Sequence, residues 1–178
     1  MRYVRRRPGE ECMPECTMAT MKHPLSVMVW GCMTGSSVGR MQVLDGMVNA
    51  DKYIKEVLQA KVIASARDIF GEGARFVFQQ DGAPCHTAKK TMKWFKDNQV
   101  EVLEWPGNSP DLNPIENLWS RLKRKVSAKR PSNKRDLIAA IINAWFHLIS
   151  TDDLKKLVDS MPQRCQAVIK AKGYPTRY

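Results

Sequence analysis

Two acidic residues each follow an apolar run that resembles a β-strand. Asp81 follows ARFVFQQ directly, in the turn DGAP, and Glu116 lies in the first turn of a predicted helix after the run VEVLEWP. Thirty-four residues separate the two acids. A carboxylate at a strand end and another on an adjoining helix can converge on one hard cation, and Mg²⁺ prefers oxygen ligands. Two such ions would hold the attacking and leaving oxygens of a phosphodiester displacement.

Each acid also has a purely structural interpretation. Asn113, Pro114 and Glu116 stand in the order of an N-cap, a proline at the first helical position and an acid two positions later. Such a capping box would stabilise the helix by about 1 kcal/mol. Asp81 before Gly82 is typical of a turn. Neither acid alone indicates an enzyme, and both interpretations stay open on spacing.

A basic run follows Glu116 on the same predicted helix and continues beyond it. No acid interrupts this run before Asp136, whereas ordinary helices mix charges to form i,i+4 pairs. We therefore predict phosphate contact or, as an alternative use of the same run, a nuclear-import signal. The run contains eight basic residues: Arg121, Lys123, Arg124, Lys125, Lys129, Arg130, Lys134 and Arg135.

The overall charge agrees with a polyanionic partner. The chain has 29 Lys and Arg against 18 Asp and Glu, a net charge of +11. Residues 81–178 hold 18 basic and 10 acidic residues, while residues 1–80 hold 11 and 8. An excess concentrated in the second half favours nucleic acid over a membrane as the partner, and DNA bound through its phosphates is our prediction.

Length and composition are those of one globular domain. The chain has 178 residues, 43% of them hydrophobic, with 10 Gly and 10 Pro, which argues against a disordered or collagen-like protein. The longest apolar run, residues 27–33, is too short to span a bilayer, and no secretory segment is evident. The five cysteines are odd in number and scattered, so we expect a reduced, intracellular protein. Cys12, Cys16, His23 and Cys32 lack the spacing of a zinc site.

The secondary-structure elements that would position these residues are strands and helices in the first part of the chain and helices alone in the last part. Residues 1–26 form an irregular lead-in, residues 27–110 a sheet with helices, and residues 111–178 a helical part. We predict an α/β protein. The predicted elements are a hairpin within 27–49, a helix over 51–70 stopped by Gly71, a strand before Asp81, a helix over 87–98, a strand over 100–105, and helices over 113–129, 134–149, 152–160 (capped by Thr151) and 162–172.

Three strings carry a more specific resemblance. SVMVWGCMTGSSVG, FVFQQDGAPCHTA and WPGNSPDLNPIENLW resemble the transposase domain of the Tc/mariner superfamily, the Tc-like branch in particular. The resemblance runs from about Tyr3 to the last residue and implies a ribonuclease-H-like fold that presents an Asp, Asp, Glu triad to two Mg²⁺ ions for DNA strand cleavage and transfer. By motif match Asp81 corresponds to the second Asp and Glu116 to the Glu, which makes both metal ligands. His86 is expected to make structural hydrogen bonds near Asp81.

The chain also departs from that pattern. The family's first Asp lies on a strand upstream of the segment that MRYVRRRPGEE resembles, and no acid here, Asp45 and Asp51 included, matches it. The family's helix-turn-helix units have no counterpart either. We therefore expect residues 1–178 to be a single truncated catalytic domain with an incomplete ribonuclease-H-like sheet whose first, central strand is missing. With two of three ligands, Mg²⁺ would be held less tightly.

Three interpretations of function remain open. The chain is an inactive nuclear remnant that binds DNA without sequence preference, an active transposase whose first part is lacking from the gene model, or a fragment without function. The strands that flank the missing one are expected either to pair with each other or to accept a strand from a second copy, which would make a homo-oligomer.

Overall fold

Two small sheets and a set of helices form the part of the chain that the structure describes, residues 25–178 of a computed structural model. Most of the predicted lead-in lies outside the described residues, as do Cys12, Cys16 and His23. None of the helices within 25–178 is long and apolar enough to cross a membrane.

The first sheet is the predicted hairpin. Strand β1 (Met28–Trp30) runs antiparallel to β2 (Gln42–Leu44), with Met28 opposite Leu44. Thr34 shapes the connection, because its hydroxyl oxygen accepts a hydrogen bond from the Ser37 N–H at 3.0 Å. Gly39 is required nearby, since a side chain there would collide with Cys32 Sγ. The hairpin prediction is confirmed.

One long helix, α1 (residues 50–70), covers the hairpin. It is α-helical at Ala50–Lys52 and Ile63–Phe70, and π-helical at Tyr53–Val62. The Asn49 side chain caps its start, and Gly71, with φ of 93°, ends it as the sequence predicts. Its inward side chains belong to the first of two cores, which consists of Leu44, Tyr53, Val57, Leu58, Val62, Trp94, Phe95 and Val100.

The second sheet is parallel and very short. Strand β3 (Val77–Phe78) pairs with β4 (Glu101–Val102), and helices α2 (Pro84–Thr87) and α3 (Lys89–Asp97) connect them. Within residues 25–178 neither strand of this sheet pairs with β1 or β2. The direct pairing that we considered is therefore not formed there, and the two sheets remain separate.

Helices make up the rest of the described chain, as expected. A 3₁₀ turn at Pro110–Leu112 leads into α4 (Pro114–Ala128), α5 (Lys134–His147), α6 (Thr151–Asp159) and α7 (Met161–Lys170). One cap prediction was wrong: Ser150, not Thr151, accepts from the Asp153 N–H and begins α6. The second core lies among these helices and contains Met41, Leu118, Leu122, Val126, Leu137, Ala140, Ile141, Ala144, Trp145, Leu154 and Leu157.

Trp145 joins the helical part to the hairpin. Its side chain is fully buried, its ring stacks on Trp119 with centroids 4.9 Å apart, and its indole N–H donates to the Gly39 carbonyl at 2.8 Å. A Cβ at Gly31 would lie 2.8 Å from the Trp145 ring, so only glycine fits this contact. The start of α4 is thereby fixed against the sheet region.

Candidate functional site

A groove of about 480 Å³ lies between the two sheets. Residues of β1 and β3 both border it, and α1 and the start of α4 complete its walls. Asp81 and Glu116 line this same groove. The two acids that the sequence analysis selected as metal ligands therefore line one groove, and their role as ligands stays a prediction.

Asp81 presents one carboxylate oxygen to the protein and leaves the other free. Oδ1 accepts from the Ala83 backbone N–H at 3.1 Å, the turn role that the sequence allowed. His86 Nδ1 lies 2.6 Å from the same oxygen, and because a carboxylate only accepts, Nδ1 carries the hydrogen. His86 thus has the structural role expected of it. Asp81 Oδ2 has no protein partner among the described residues, and the side chain is 57% exposed.

A second set of contacts holds His86. The ring of Tyr53 packs against the His86 ring with centroids 4.3 Å apart. Tyr53 donates its hydroxyl to Gln80 Oε1 at 2.9 Å, and Gln80 Nε2 donates to the His86 carbonyl at 3.2 Å. Burial raises the pKa of Tyr53, so its hydroxyl remains a donor. The sequence analysis gave Tyr53 and Gln80 no role, although Gln80 directly precedes Asp81.

Glu116 is exposed in the first turn of α4, and the capping box is not formed. Asn113 stands at the N-cap position but makes no side-chain cap; its Oδ1 accepts instead from Gln79 Nε2 at 3.4 Å. The Glu116 backbone N–H donates to the Asn113 carbonyl at 3.1 Å. Its carboxylate has no partner in the described part of the chain. The capping-box interpretation was therefore wrong: Asn113 Oδ1 accepts from Gln79 and not from the helix, and the Asn113 N–H that a capping glutamate would bond donates to the Pro110 carbonyl at 2.9 Å.

Basic side chains continue from Glu116 along the same exposed side of α4. Lys123 and Arg124 follow it by seven and eight residues, about two helical turns, which places them about 10–12 Å along the axis. Both are exposed and neither is paired with an acid in residues 25–178. A polyanion lying along this exposed side of α4 would contact Lys123 and Arg124 and then reach Glu116.

The opposite side of α4 uses its cations within the protein. Arg121 forms an ion pair with Asp153 of α6 at 2.6 Å, and Lys125 donates to the Leu148 carbonyl at 2.6 Å. These two residues were predicted to contact DNA together with Lys123 and Arg124. That assignment stays a prediction. The cations on this side of the helix are bonded within the protein, whereas those on the side of Glu116 are not.

The remaining basic residues of the run lie beyond α4. Lys134 is paired with Asp45 at 2.9 Å, and its hydrogen bond, aided by its charge, lowers the pKa of that carboxyl. Lys129, Arg130 and Arg135 are exposed and unpaired within residues 25–178. Five of the eight predicted DNA contacts are thus available without breaking a bond of the described structure.

The donor set fits a divalent cation of the Mg²⁺ type in part. Two carboxylates with free oxygens share one groove, and Mg²⁺ is commonly held by one or two carboxylates with waters and substrate phosphates. Among residues 25–178, however, no group of three or more His, Cys, Asp or Glu side chains is arranged to hold a metal. The described residues therefore offer two oxygen ligands, Asp81 and Glu116.

Comparison with known proteins agrees with the geometry. The model of the DDE superfamily endonuclease family matches residues 1–138. The chain is 41% identical over 177 residues to the transposable element Tc1 transposase of Caenorhabditis elegans, covering 99% of this chain and 63% of that protein. It is 39% identical over 179 residues to the Tcb2 transposase of Caenorhabditis briggsae, of which it spans 64%. The chain thus spans slightly less than two thirds of these relatives.

Solved structures give the fold. The crystal structure of the catalytic domain of Mos1 mariner transposase superposes with a TM-score of 0.74 at 20% identity, over 85% of this chain and 76% of that one. The Mos1 paired end complex with Mg superposes with a TM-score of 0.82 at 20% identity, over 99% of this chain and 52% of that one. These matches confirm the predicted ribonuclease-H-like fold class.

Proposed function

The chain belongs to the DDE superfamily of endonucleases, among the Tc/mariner transposases, and on that basis we propose that it binds DNA along α4 and holds a divalent cation at Asp81 and Glu116. One observation carries the proposal. The free carboxylate of Glu116 and the free cations Lys123 and Arg124 share one exposed side of the same helix, and Asp81 lines the groove at which that side begins.

Phosphates are the groups that this helix side would recognise. Lysine and arginine contacts to the DNA backbone release counterions and carry no sequence information of their own. DNA lying along α4 would contact Lys123 and Arg124 while one phosphate approaches Glu116 and Asp81. We expect binding of modest affinity, without sequence preference and steeply dependent on salt.

The cation would connect the acids to that phosphate. Asp81 and Glu116 would hold Mg²⁺, which when bound polarises a phosphoryl oxygen and neutralises developing charge. His86 holds Asp81 through Oδ1, so Oδ2 is the oxygen that would be free to bind the metal. The use of Mg²⁺ is named for the Mos1 paired end complex, and for this chain it is part of the proposal.

We further propose that the two acids support cation binding but not cleavage. A second cation would lack a carboxylate of its own among the described residues, and without it the leaving oxygen has no counter-charge. The test is incubation of the purified chain with supercoiled plasmid and short duplexes in Mg²⁺ or Mn²⁺. Unbroken DNA is expected. Nicking that disappears in the Asp81→Ala variant would refute the proposal and favour the active-enzyme interpretation.

Two further proposals concern where the protein is and what it assembles with. The exposed basic run 121–135 would act as a nuclear-import signal, so a fluorescent protein carrying it should concentrate in the nucleus, and an even distribution would refute this.

Strands β1 and β3 each have one edge without a strand partner in the described part and border the same groove. A strand from a second copy would satisfy those edges. A strictly monomeric protein in analytical ultracentrifugation would contradict self-association.

A further inference from the structure

Arg164, in the first turn of α7, is the one buried charged side chain in the described part of the chain, with 2% of its surface exposed. Its guanidinium donates to Ser160 Oγ at 2.8 Å, to the Asp111 carbonyl at 2.8 Å and to Asn117 Oδ1 at 2.6 Å. The ring of Tyr178 lies 4.8 Å from its Cζ. A buried cation is costly unless such bonds satisfy it, so the surrounding acceptors are fixed as much as the arginine is.

Two of the three acceptors enclose Glu116 in sequence. Asp111 belongs to the 3₁₀ turn that enters α4, and Asn117 is the residue after Glu116. The guanidinium is planar, so the directions of its N–H donors are fixed. Because it bonds to both segments, it fixes the position of the 3₁₀ turn relative to the first turn of α4. Asp111 is itself held, because its Oδ2 accepts from the Thr176 N–H at 2.6 Å.

We propose that Arg164 is the positioning residue for Glu116: it holds the first turn of α4 from the α7 side so that the carboxylate faces the groove and Asp81. The Gln79 to Asn113 bond holds the same turn from the β3 side. The carboxylate between these two anchors keeps its own oxygens free for a ligand. This inference rests on the proposed cation site.

The test compares Arg164→Met and Arg164→Lys with the unmodified chain. Methionine keeps much of the packing but none of the donors, and lysine keeps the charge but cannot reach both acceptors in one plane. Mn²⁺ is the probe, titrated by calorimetry. Loss of a group bonded directly to a metal ligand typically weakens metal binding by about 10- to 100-fold; Arg164 acts one bond further away, through Asp111 and Asn117, so we expect the lower end, about tenfold, for both variants.

A double-mutant cycle separates positioning from general stability. In a Glu116→Gln background, Arg164→Met should leave Mn²⁺ affinity unchanged while lowering the melting temperature as much as it does alone. Leu157→Ala, in the helical core, is the control: it should lower the melting temperature while Arg164, its three acceptors and the Leu157 carbonyl bonded by Ser160 all stay in the chain. An equal loss of Mn²⁺ affinity in Leu157→Ala, or a further loss in the Glu116→Gln background, would overturn the inference.

A second readout keeps the two proposals distinct. Hydrogen exchange of the amides over residues 115–118 should speed up in Arg164→Lys and not in Leu157→Ala. If the unmodified chain binds no Mn²⁺, the proposed cation site fails, and the exchange result alone then decides on Arg164. Unchanged exchange would overturn its positioning role. Should Arg164→Met not fold, Asn117→Ala removes one acceptor instead and is expected to show the same exchange.

Discussion

The salt dependence of DNA binding tests the division of the basic run into free and paired cations. Arg121, Lys125 and Lys134 are engaged within the protein, and the other five basic residues of the run are free in the described structure. We expect neutralisation of three free cations, in a Lys123→Gln, Arg124→Gln and Lys129→Gln variant, to remove most of the electrostatic part of binding.

The magnitude follows from the number of contacts. Each phosphate contact contributes about 0.9 to the slope of log K against log salt, so five contacts give a slope of about 4.5. Affinity should then fall about 500-fold between 50 and 200 mM salt. The triple variant would keep two contacts and a slope of about 1.8, which corresponds to a fall of about 12-fold over the same range.

Fluorescence anisotropy with a labelled duplex of arbitrary sequence, over a salt series, measures both slopes. A Lys55→Gln, Arg67→Gln and Lys170→Gln variant loses the same charge from other helices and should keep a slope near that of the unmodified chain. Equal slopes in the two triple variants would refute the assignment of the contact to this run. A slope near 7 for the unmodified chain would instead show that all eight residues contact DNA and that the paired cations give up their partners.

Three further predictions use single contacts. Trp145→Phe leaves the buried Gly39 carbonyl without its donor. Trp94→Phe is the control, because the Trp94 indole N–H has no acceptor in the described part. The free energy of unfolding, measured in urea, should fall by on the order of 1–3 kcal/mol more in Trp145→Phe than in Trp94→Phe. His86→Ala frees Asp81 Oδ1 and should weaken Mn²⁺ binding about tenfold in calorimetry; unchanged affinity would remove His86 from the site. The bond from Thr176 lowers the pKa of Asp111 below its ordinary 3.8. The ionised carboxylate therefore stabilises the fold above that pH, and this stabilisation is lost as the pH falls through the lowered pKa. In Asp111→Asn the melting temperature should therefore fall less steeply below about pH 4. The same fall of melting temperature with pH in Asp111→Asn and in the unmodified chain would contradict this.

The helices could be predicted from the sequence because each one buries a face whose apolar residues repeat at helical spacing. Helix α1 runs over residues 50–70 where the pattern predicted 51–70, and α4 keeps Leu118, Leu122 and Val126 inward as their spacing requires. The strands were harder to delimit. The run ARFVFQQ has strand-like residues throughout, but only Val77–Phe78 form a strand, because the extent of a strand depends on a neighbour that local composition does not specify.

The proposed ligands of the candidate site were visible in the sequence, while the residue proposed to position Glu116 was not. Asp81 and Glu116 lie in turns with strong local signatures, so their type and place indicated a role. Arg164 gave no such signal, since an arginine in an amphipathic helix looks exposed. Its acceptors Asp111 and Asn117 come from 53 and 47 residues away, a separation at which sequence patterns say nothing about contact.

A local contact explains why the Glu116 carboxylate has no partner in the described part of the chain. In a capping box, a first-turn glutamate accepts from the backbone N–H of the N-cap residue. Here the Asn113 N–H donates to the Pro110 carbonyl at 2.9 Å, so the 3₁₀ turn already satisfies that donor. Gln79 and Arg164 hold the side chains of Asn113 and Asn117, and the glutamate between them is left at the groove that it lines.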